Sequence, residues 1–242
     1  MGLNKSAVVT GASRGIGRAI SEELALMGYD LIMVAKDPRR LKTAANALSK
    51  KYKTQIEGFA CDISKTSDIE QLSQFCVEKH MTPSLLVNNA GIYEPCAITD
   101  PIERYDKIMA VNARGMICLT QKLIPLMRKT GKARIVIISS TWAQDSYPAD
   151  DNVEGAAYAT SKWAIRGWAR SLRAEVRKYG MGVTVIYPGA VITDEWEGTE
   201  LPHEVFIQPS DIGRIVGTIV SMSANAGIEE VVIRPLSGDL RE

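Results

Sequence analysis

The sequence contains no long hydrophobic run. Its longest aliphatic stretches, residues 31–35 and 135–138, are far shorter than the roughly 18 residues that a membrane-spanning helix needs. The first six residues also lack the apolar segment of a secretory signal. We therefore expect no membrane partner, and the cytoplasm is the expected location.

Charge of one sign is not in excess either. The chain has 29 Lys and Arg against 28 Asp and Glu, so its formal net charge is +1. Proteins that bind nucleic acids usually carry a strongly basic surface, because their contacts neutralise backbone phosphates. The charge balance predicts that this chain does not bind nucleic acid.

Cysteine and histidine are too scarce and too scattered for a metal centre. The four cysteines, Cys61, Cys76, Cys96 and Cys118, form no C-x-x-C pair, and the chain has only 2 histidines. Zinc sites in proteins need several closely placed Cys or His ligands. We expect no metal, and reduced thiols that pack as small apolar groups.

What the sequence does contain is a repeated alternation of strands and helices. Hydrophobic residues make up 45% of the chain and charged residues 24%, which is typical of a globular protein with a substantial core. Strands that are apolar on both faces and alternate with helical segments predict a parallel sheet covered on both sides. The expected fold class is α/β, a doubly wound parallel sheet in one domain, residues 1–242. About seven strands are predicted, at residues 6–10, 30–35, 55–61, 84–88, 134–140, 182–187 and 229–234.

A glycine-rich turn follows the first predicted strand. Residues 10–17 are Thr-Gly-Ala-Ser-Arg-Gly-Ile-Gly, and a helical pattern begins directly after them. Glycines let the backbone approach a pyrophosphate closely, and the N-terminus of the helix offers N–H groups and partial positive charge. The G-x-x-x-G-x-G spacing differs from the commoner G-x-G-x-x-G, and a simple tight turn is the alternative. The candidate residues of a Rossmann-like dinucleotide site here are Gly11, Ser13, Arg14, Gly15, Ile16 and Gly17.

Further motifs follow the glycine turn in a fixed order. They are Asn88-Asn89-Ala90-Gly91 after the fourth strand, Asn112 in the next helix, Ser140 at the end of the fifth strand, and Tyr158-Ala159-Thr160-Ser161-Lys162. With these motifs the chain resembles the short-chain dehydrogenase/reductase family in its compact single-domain form, from Lys5 to about Arg234. Within that family it resembles NADP-dependent carbonyl reductases of the 3-oxoacyl-ACP reductase kind.

Tyr158 and Lys162 are the candidate proton-transfer pair. Their spacing of four residues places both side chains on one face of a helix. A lysine ammonium close to a phenol favours the phenolate, so Tyr158 can donate a proton to a carbonyl or accept one from an alcohol. The alternative is an aromatic residue and a solvated lysine on an amphipathic helix.

Two further catalytic candidates accompany this pair. Ser140 can hydrogen-bond the substrate oxygen as that oxygen gains negative charge, and Ser139 is the alternative residue for this role. The resemblance implies that Asn112 is the fourth catalytic residue and helps to hold a water near the lysine. Its alternative is a polar residue that merely kinks a helix.

The resemblance also implies where a cofactor is held. Asp62 and Ile63 would lie beside its adenine, although Asp62 is alternatively a simple helix cap. For Asn88-Asn89 and for Pro188-Gly189, an ordinary turn is the alternative. The remaining implied contacts, beside the ribose and the nicotinamide, are Asn88, Ala90, Gly91, Tyr158, Lys162, Pro188, Gly189, Val191 and Thr193.

The choice between NAD and NADP depends on charge near the ribose 2′ position. An acidic residue at the end of the second strand accepts hydrogen bonds from a free 2′-hydroxyl, whereas basic residues pair with a 2′-phosphate. Here Ala35 occupies the acidic position, and Lys36 and Arg14 supply cations. NADP is therefore the expected cofactor, with the complication that Asp37 can neutralise Lys36 or reach a ribose hydroxyl itself.

The segment between Ser140 and Tyr158 is longer and more acidic than the family usually carries. It runs beside the expected substrate cleft and includes Asp145, Asp150, Asp151 and Glu154. Residues 194–209 lie where the family has a mobile substrate lid. Four aromatic residues are candidates for the pocket wall, with ordinary core packing as the alternative: Tyr93, Trp142, Tyr147 and Trp196.

The expected function is NADPH-dependent reduction of a ketone or aldehyde, with a 3-oxoacyl thioester as one candidate substrate. An NAD(P)-dependent alcohol dehydrogenase that works oxidatively, or a catalytically silent cofactor-binding regulatory protein, is the alternative. The resemblance also implies a homodimer or homotetramer, formed through long helices around residues 101–129 and 155–179. Trp163 and Trp168 on the second helix are candidates for either interface or core.

Overall fold

A computed structural model describes residues 5–144, 154–196, 198 and 201–238 of the chain. Seven strands form a single sheet in the described part, at the places where the sequence predicts them. Ser140, predicted at the end of the fifth strand, lies two residues beyond it in a short turn. The strands are β1 (Ser6–Thr10), β2 (Asp30–Ala35), β3 (Ile56–Ala60), β4 (Leu85–Asn88), β5 (Arg134–Ile138), β6 (Gly182–Pro188) and β7 (Glu230–Ile233).

All neighbouring strands are parallel, in the order β3-β2-β1-β4-β5-β6-β7. The chain builds outward from β1 to β3, crosses back to β4 and builds outward in the opposite direction. The sheet is therefore a doubly wound, Rossmann-like α/β sheet, as the sequence predicts. Ligands of such sheets bind outside the carboxyl ends of the strands where the order reverses. In this chain that point lies between Thr10, which ends β1, and Asn88, which ends β4.

Helices cover both faces of the sheet. Side chains alternate along β1, so that Val8 joins one apolar cluster and Ala7 and Val9 join the other. The first cluster lies under the helices at residues 66–78, 116–127 and 156–176, and the second under those at residues 15–26, 38–51 and 209–221. The α-helices of the described residues are α1 (Gly15–Leu26), α2 (Pro38–Lys51), α3 (Thr66–Glu78), α4 (Ile102–Met109), α5 (Met116–Met127), α6 (Ala156–Val176) and α7 (Pro209–Ser221).

The two tryptophans of α6 have different surroundings. Trp168 is half-buried and packs against the cluster under α6, whereas the side chain of Trp163 is 42% exposed. Trp168 therefore belongs to the core, and Trp163 faces outward. Across residues 5–144, 154–196, 198 and 201–238, no helix combines the length and apolarity needed to cross a membrane.

Candidate active site

The turn between β1 and α1 depends on its glycines. Gly11 and Gly15 adopt positive φ angles of 65° and 52°, which residues with a side chain rarely adopt. At Gly17 a Cβ atom would lie 2.3 Å from the carbonyl oxygen of Gly11, so any larger residue collides with the backbone. Within the described residues no side chain caps α1 at Arg14, and the first N–H groups of the helix can serve an anion. This glycine-lined cradle fits the pyrophosphate of a dinucleotide.

Thr10 and Asn89 fasten this turn to the end of β4. The Asn89 side-chain amide donates to the carbonyl oxygen of Thr10 at 2.9 Å. The Thr10 hydroxyl accepts hydrogen bonds from the N–H groups of Asn89 and Ala90, at 2.9 and 3.0 Å. Sequence reasoning missed both residues as supports of the site. The available signal was their position at the ends of two strands that a doubly wound sheet places side by side.

Asn88 and Gly91 both lie at the carboxyl end of β4, and Gly91 is the one beside Lys162. Asn88 is 1% exposed, and its amide donates to the hydroxyl of Thr120 at 2.8 Å. A Cβ atom on Gly91 would lie 3.6 Å from Nζ of Lys162 and 3.4 Å from Oδ1 of Asn112. Of the predicted ribose-side residues, Gly91 therefore lies against the predicted lysine and asparagine of the catalytic group.

Asn112 lies in a one-turn π-helix, residues 110–115, between α4 and α5. The wider turn carries its side chain into the interior, where it is fully buried. Its Oδ1 accepts from the N–H of Ile92 at 2.8 Å, and its Nδ2 donates to the carbonyl oxygen of Ile92 and the hydroxyl of Ser161. Asn112 thus ties the segment after β4 to α6, next to Tyr158.

Lys162 is buried directly beneath the ring of Tyr158. Only 5% of Lys162 is exposed, and its Nζ lies 5.2 Å from the centre of the Tyr158 ring. The ammonium also donates to the carbonyl oxygen of Ile138, the last residue of β5, at 3.4 Å. A buried ammonium needs such partners, because removal of a charge from water is costly. Its charge therefore acts on Tyr158 in a region of low water content.

Both candidate serines follow β5. Ser139 still belongs to the sheet through its N–H, which donates to Ile186, and its hydroxyl has no hydrogen-bond partner among the described residues. Ser140 is 8% exposed, and its hydroxyl accepts from the N–H of Trp142 at 3.2 Å. That bond begins the short turn Thr141–Ala143. The geometry thus places two hydroxyls at the carboxyl end of β5, and among the described residues only the Ser140 hydroxyl has a hydrogen-bond partner.

Two of the four candidate aromatic residues surround Tyr158. The rings of Tyr93 and Trp142 lie edge-to-face with it, at centroid distances of 5.3 and 5.4 Å. They are also edge-to-face with each other at 5.9 Å. Trp196 lies elsewhere, against Phe206 at 4.7 Å. Tyr147 lies outside the described residues, as do residues 145–153 of the acidic segment, whereas Glu154 is described and exposed.

Lys36 and Asp62 form an ion pair at the ends of β2 and β3. The Lys36 Nζ lies 2.8 Å from Oδ2 of Asp62. Burial disfavours the charged form of Asp62, but hydrogen bonds from Lys36 and Ser64 outweigh this and lower the pKa of Asp62 to about 2. The same hydrogen bond raises the pKa of Lys36. Ile63 follows with its side chain in the core, at 6% exposed.

Asp37 caps α2 instead of pairing with Lys36. Its Oδ1 accepts from the N–H groups of Arg39 and Arg40 at 2.9 and 3.1 Å. The bond from Arg40 is the main reason why the pKa of Asp37 is lowered. Lys36 pairs with Asp62 because β2 and β3 are neighbours in the sheet. The Asp62 carboxylate accepts hydrogen bonds from the N–H and the hydroxyl of Ser64. Asp62 is therefore not the cap of α3, since the residue that precedes this helix is Lys65.

The loop after β6 reaches back to the glycine turn. Pro188 ends β6, and the N–H of Gly189 donates to Ile233 of β7 at 2.8 Å. Val191 is buried and pairs with Ile207 in an isolated bridge. The methyl group of Thr193 lies 3.2 Å from the position of a Cβ on Gly15. The predicted nicotinamide-side loop and phosphate cradle therefore face each other.

Comparisons with known proteins agree with this arrangement. A family model described as short chain dehydrogenase matches residues 5–202. Sepiapterin reductase from Chlorobaculum tepidum is 30% identical, over 97% of this chain and 98% of its own. An alcohol dehydrogenase from Thermococcus sibiricus, complexed with 5-hydroxy-NADP, has a TM-score of 0.88 at 26% identity and covers 98% of this chain and 99% of its own. A metagenomic short-chain oxidoreductase in complex with NADP has a TM-score of 0.83 at 29% identity, over 96% and 97%. Because the family match spans most of the chain, this protein belongs to the short-chain dehydrogenase family, whose members use nicotinamide cofactors.

Proposed function

We propose that this chain is an NADPH-dependent reductase that converts a ketone or aldehyde into an alcohol. The observation that carries the proposal is the burial of Lys162 beneath Tyr158, at the sheet edge where the glycine cradle opens. When bound, the reduced nicotinamide supplies the hydride. Tyr158 delivers the proton to the carbonyl oxygen, because the neighbouring ammonium stabilises the phenolate that remains.

Three residues support Tyr158 in this proposal. Ser140 donates its hydroxyl to the substrate oxygen as negative charge develops there. Lys162 stabilises the phenolate and binds the ribose. Asn112 holds the segment after β4 against α6, and with it the environment of the lysine.

The preference for NADP is proposed from charge at the ends of β1 and β2. Ala35 leaves no carboxylate at the end of β2 for a free 2′-hydroxyl, and Arg14 and Lys36 are basic residues on this side. Two solved relatives bind NADP or its 5-hydroxy derivative. The proposed contacts are Gly11, Ser13, Arg14, Gly15, Ile16, Gly17, Lys36, Asp62, Ile63, Asn88, Ala90, Gly91, Tyr158, Lys162, Pro188, Gly189, Val191 and Thr193.

Two substrate types are proposed. A 3-oxoacyl thioester is the first, from the resemblance of the chain. A carbonyl attached to a planar ring is the second, because the rings of Tyr93 and Trp142 flank Tyr158 and one relative is a sepiapterin reductase. The same residues also serve alcohol oxidation, so the direction depends on which cofactor form is supplied.

We further propose a single domain over residues 1–242, a cytoplasmic location, and a homodimer or homotetramer. The helices α4 and α6 pack on each other, and Ile102 and Trp163 on them are 63% and 42% exposed. Large exposed apolar side chains on adjacent helices are typical of an interface.

The proposed function is tested by titrating the protein with NADPH and NADH and then supplying a carbonyl panel. The panel contains sepiapterin, a 3-oxoacyl thioester and simple ketones, and loss of reduced-nicotinamide absorbance reports turnover. We expect NADPH to bind more tightly and at least one carbonyl to be reduced. Tyr158→Phe should abolish turnover and retain most of the NADPH affinity, because it removes the transferable proton and only one of the many proposed cofactor contacts. Equal activity of Tyr158→Phe would contradict the proposal, and binding without turnover on any substrate would favour the regulatory alternative.

A further inference from the structure

Asp194 brings two arginines from separate elements to one point. Its Oδ2 lies 2.9 Å from Nη1 of Arg14, in the glycine turn, and 3.6 Å from Nη1 of Arg40, in the first turn of α2. Arg40 is also held by Asp37, whose Oδ2 lies 3.8 Å from its Nε. Two guanidinium groups that converge on a single carboxylate oxygen define a place where an anion is bound.

This anion position has the location expected for a cofactor phosphate. Arg14 lies in the predicted pyrophosphate cradle, and Arg40 lies just after the end of β2, where the ribose 2′ position is recognised. We propose that the Asp194 carboxylate stands in for the 2′-phosphate in the cofactor-free protein, and that Arg40 joins Arg14 in binding that phosphate. The inference rests on the NADP preference proposed above.

An exchange of the carboxylate for the phosphate is physically reasonable. The side chains of Arg14, Arg40 and Asp194 are 51%, 62% and 45% exposed, and exposed ion pairs are weak. A phosphate monoester carries a charge of about −1.5 to −2 near neutral pH and offers three acceptor oxygens, so it binds two guanidinium groups better than one carboxylate does. NADPH should therefore displace Asp194, whereas NADH should not.

The displacement would also connect the two ends of the cofactor. Asp194 directly follows Thr193, whose methyl group lies against Gly15 of the phosphate cradle. Thr193 is the residue proposed to bind the nicotinamide carboxamide. Displacement of Asp194 by the phosphate would therefore act on a residue directly bonded to the proposed nicotinamide contact.

The test uses Asp194→Asn and two fragments that lack nicotinamide, 2′,5′-ADP and 5′-AMP. Asparagine keeps the size of the side chain and removes its charge. We expect calorimetric titration to show that 2′,5′-ADP binds Asp194→Asn about threefold to tenfold more tightly than it binds the unsubstituted protein. This factor corresponds to one or two exposed ion pairs that the phosphate no longer has to break. Binding of 5′-AMP should change by less than about twofold, because its phosphate occupies the glycine cradle.

Two further variants sharpen the test. Arg40→Ala should weaken 2′,5′-ADP binding. The increase in 2′,5′-ADP affinity caused by Asp194→Asn should be smaller when Arg40→Ala is also present. This double-mutant cycle isolates the interaction between Arg40 and Asp194. Glu70→Gln is the control, because it removes the same charge from a surface pair with Lys122. We expect it to leave both fragments unaffected.

The outcomes separate this inference from the proposed function. If the unsubstituted protein binds 2′,5′-ADP no better than 5′-AMP, the NADP preference is wrong and the inference falls with it. If the protein prefers 2′,5′-ADP but Asp194→Asn leaves that affinity unchanged, or strengthens 5′-AMP binding by the same factor, only the role of Asp194 is overturned.

Discussion

At the residue scale, the site depends on fully or partly buried charges that have well-placed partners. Lys162 is almost fully enclosed, and its ammonium contacts the ring of Tyr158 and the last carbonyl of β5. Asp62 is a second example, since its carboxylate is held by Lys36 and Ser64 at the ends of two strands. In both cases the cost of desolvation is offset by hydrogen bonds to the charged form.

The Asp62 pair predicts a specific dependence of stability on pH. Its pKa falls from an ordinary value of 3.8 to about 2 in the folded chain. A lowered pKa means that the carboxylate stabilises the fold fully above about pH 4, and that this contribution is lost as the pH falls towards about 2. Asp62→Asn should lower the free energy of unfolding by about 1–2 kcal/mol at neutral pH, and by much less near pH 2.

Urea unfolding of the two proteins at several pH values measures this difference. Glu103→Gln, at an exposed position of α4, is the control for the removal of one carboxylate and should change the free energy of unfolding by less than Asp62→Asn does. A constant difference between Asp62→Asn and the unsubstituted protein from neutral to acid pH would show that the stabilisation does not come from the ionised carboxylate.

At the element scale, the N-terminus of α6 and the turn after β5 position the proton donor together. Gly155 precedes α6, and a Cβ atom there would lie 1.9 Å from the indole ring of Trp142. The six-membered part of the indole ring therefore lies directly beside Gly155, and the ring is edge-to-face with Tyr158. The N–H of Cys96 donates to Glu154 at 2.8 Å and attaches the segment after β4 to the same place.

This contact predicts that Gly155→Ala impairs turnover without loss of cofactor binding. The added methyl group must displace the indole ring and with it the ring of Tyr158. We expect kcat/KM to fall about tenfold, since small misplacements of a reacting group are costly, while the Kd for NADPH stays within about twofold. Steady-state kinetics and a binding titration measure the two quantities.

Gly227, in the segment before β7, provides the control. A Cβ atom there meets no atom within 4 Å, and its φ angle lies outside the left-handed region. Gly227→Ala should therefore leave kcat/KM and the Kd for NADPH unchanged. If Gly155→Ala behaves as Gly227→Ala does, Trp142 has no part in positioning Tyr158.

At the scale of the whole molecule, the proposed oligomer buries the outward side chains of α4 and α6. Sedimentation should give a multiple of the chain mass of 26.5 kDa, twofold or fourfold. Trp163→Glu should shift the protein towards the monomer, because a charge replaces a large apolar side chain within the interface. Leu26→Glu, at an exposed position of α1, is the control and should not. An unsubstituted protein that sediments as a monomer at all concentrations would rule out the oligomer.

The sequence by itself determined the elements and their order. Each strand lies within two residues of its predicted bounds, because continuous apolar runs and helical periodicity are local properties of the chain. The glycine turn and the four-residue spacing of Tyr158 and Lys162 are local in the same sense. The match to the short-chain dehydrogenase family spans residues 5–202, which include these features.

Only the tertiary structure decided which distant residues meet. Lys36 pairs with Asp62 and not with Asp37, because β3 lies beside β2. The Asn89 side chain binds the glycine turn because β4 lies beside β1. Asp194 and Arg14 form an ion pair although 180 positions separate them in the sequence. Such contacts depend on strand order and on the paths of loops, which no pattern within a short stretch of sequence encodes.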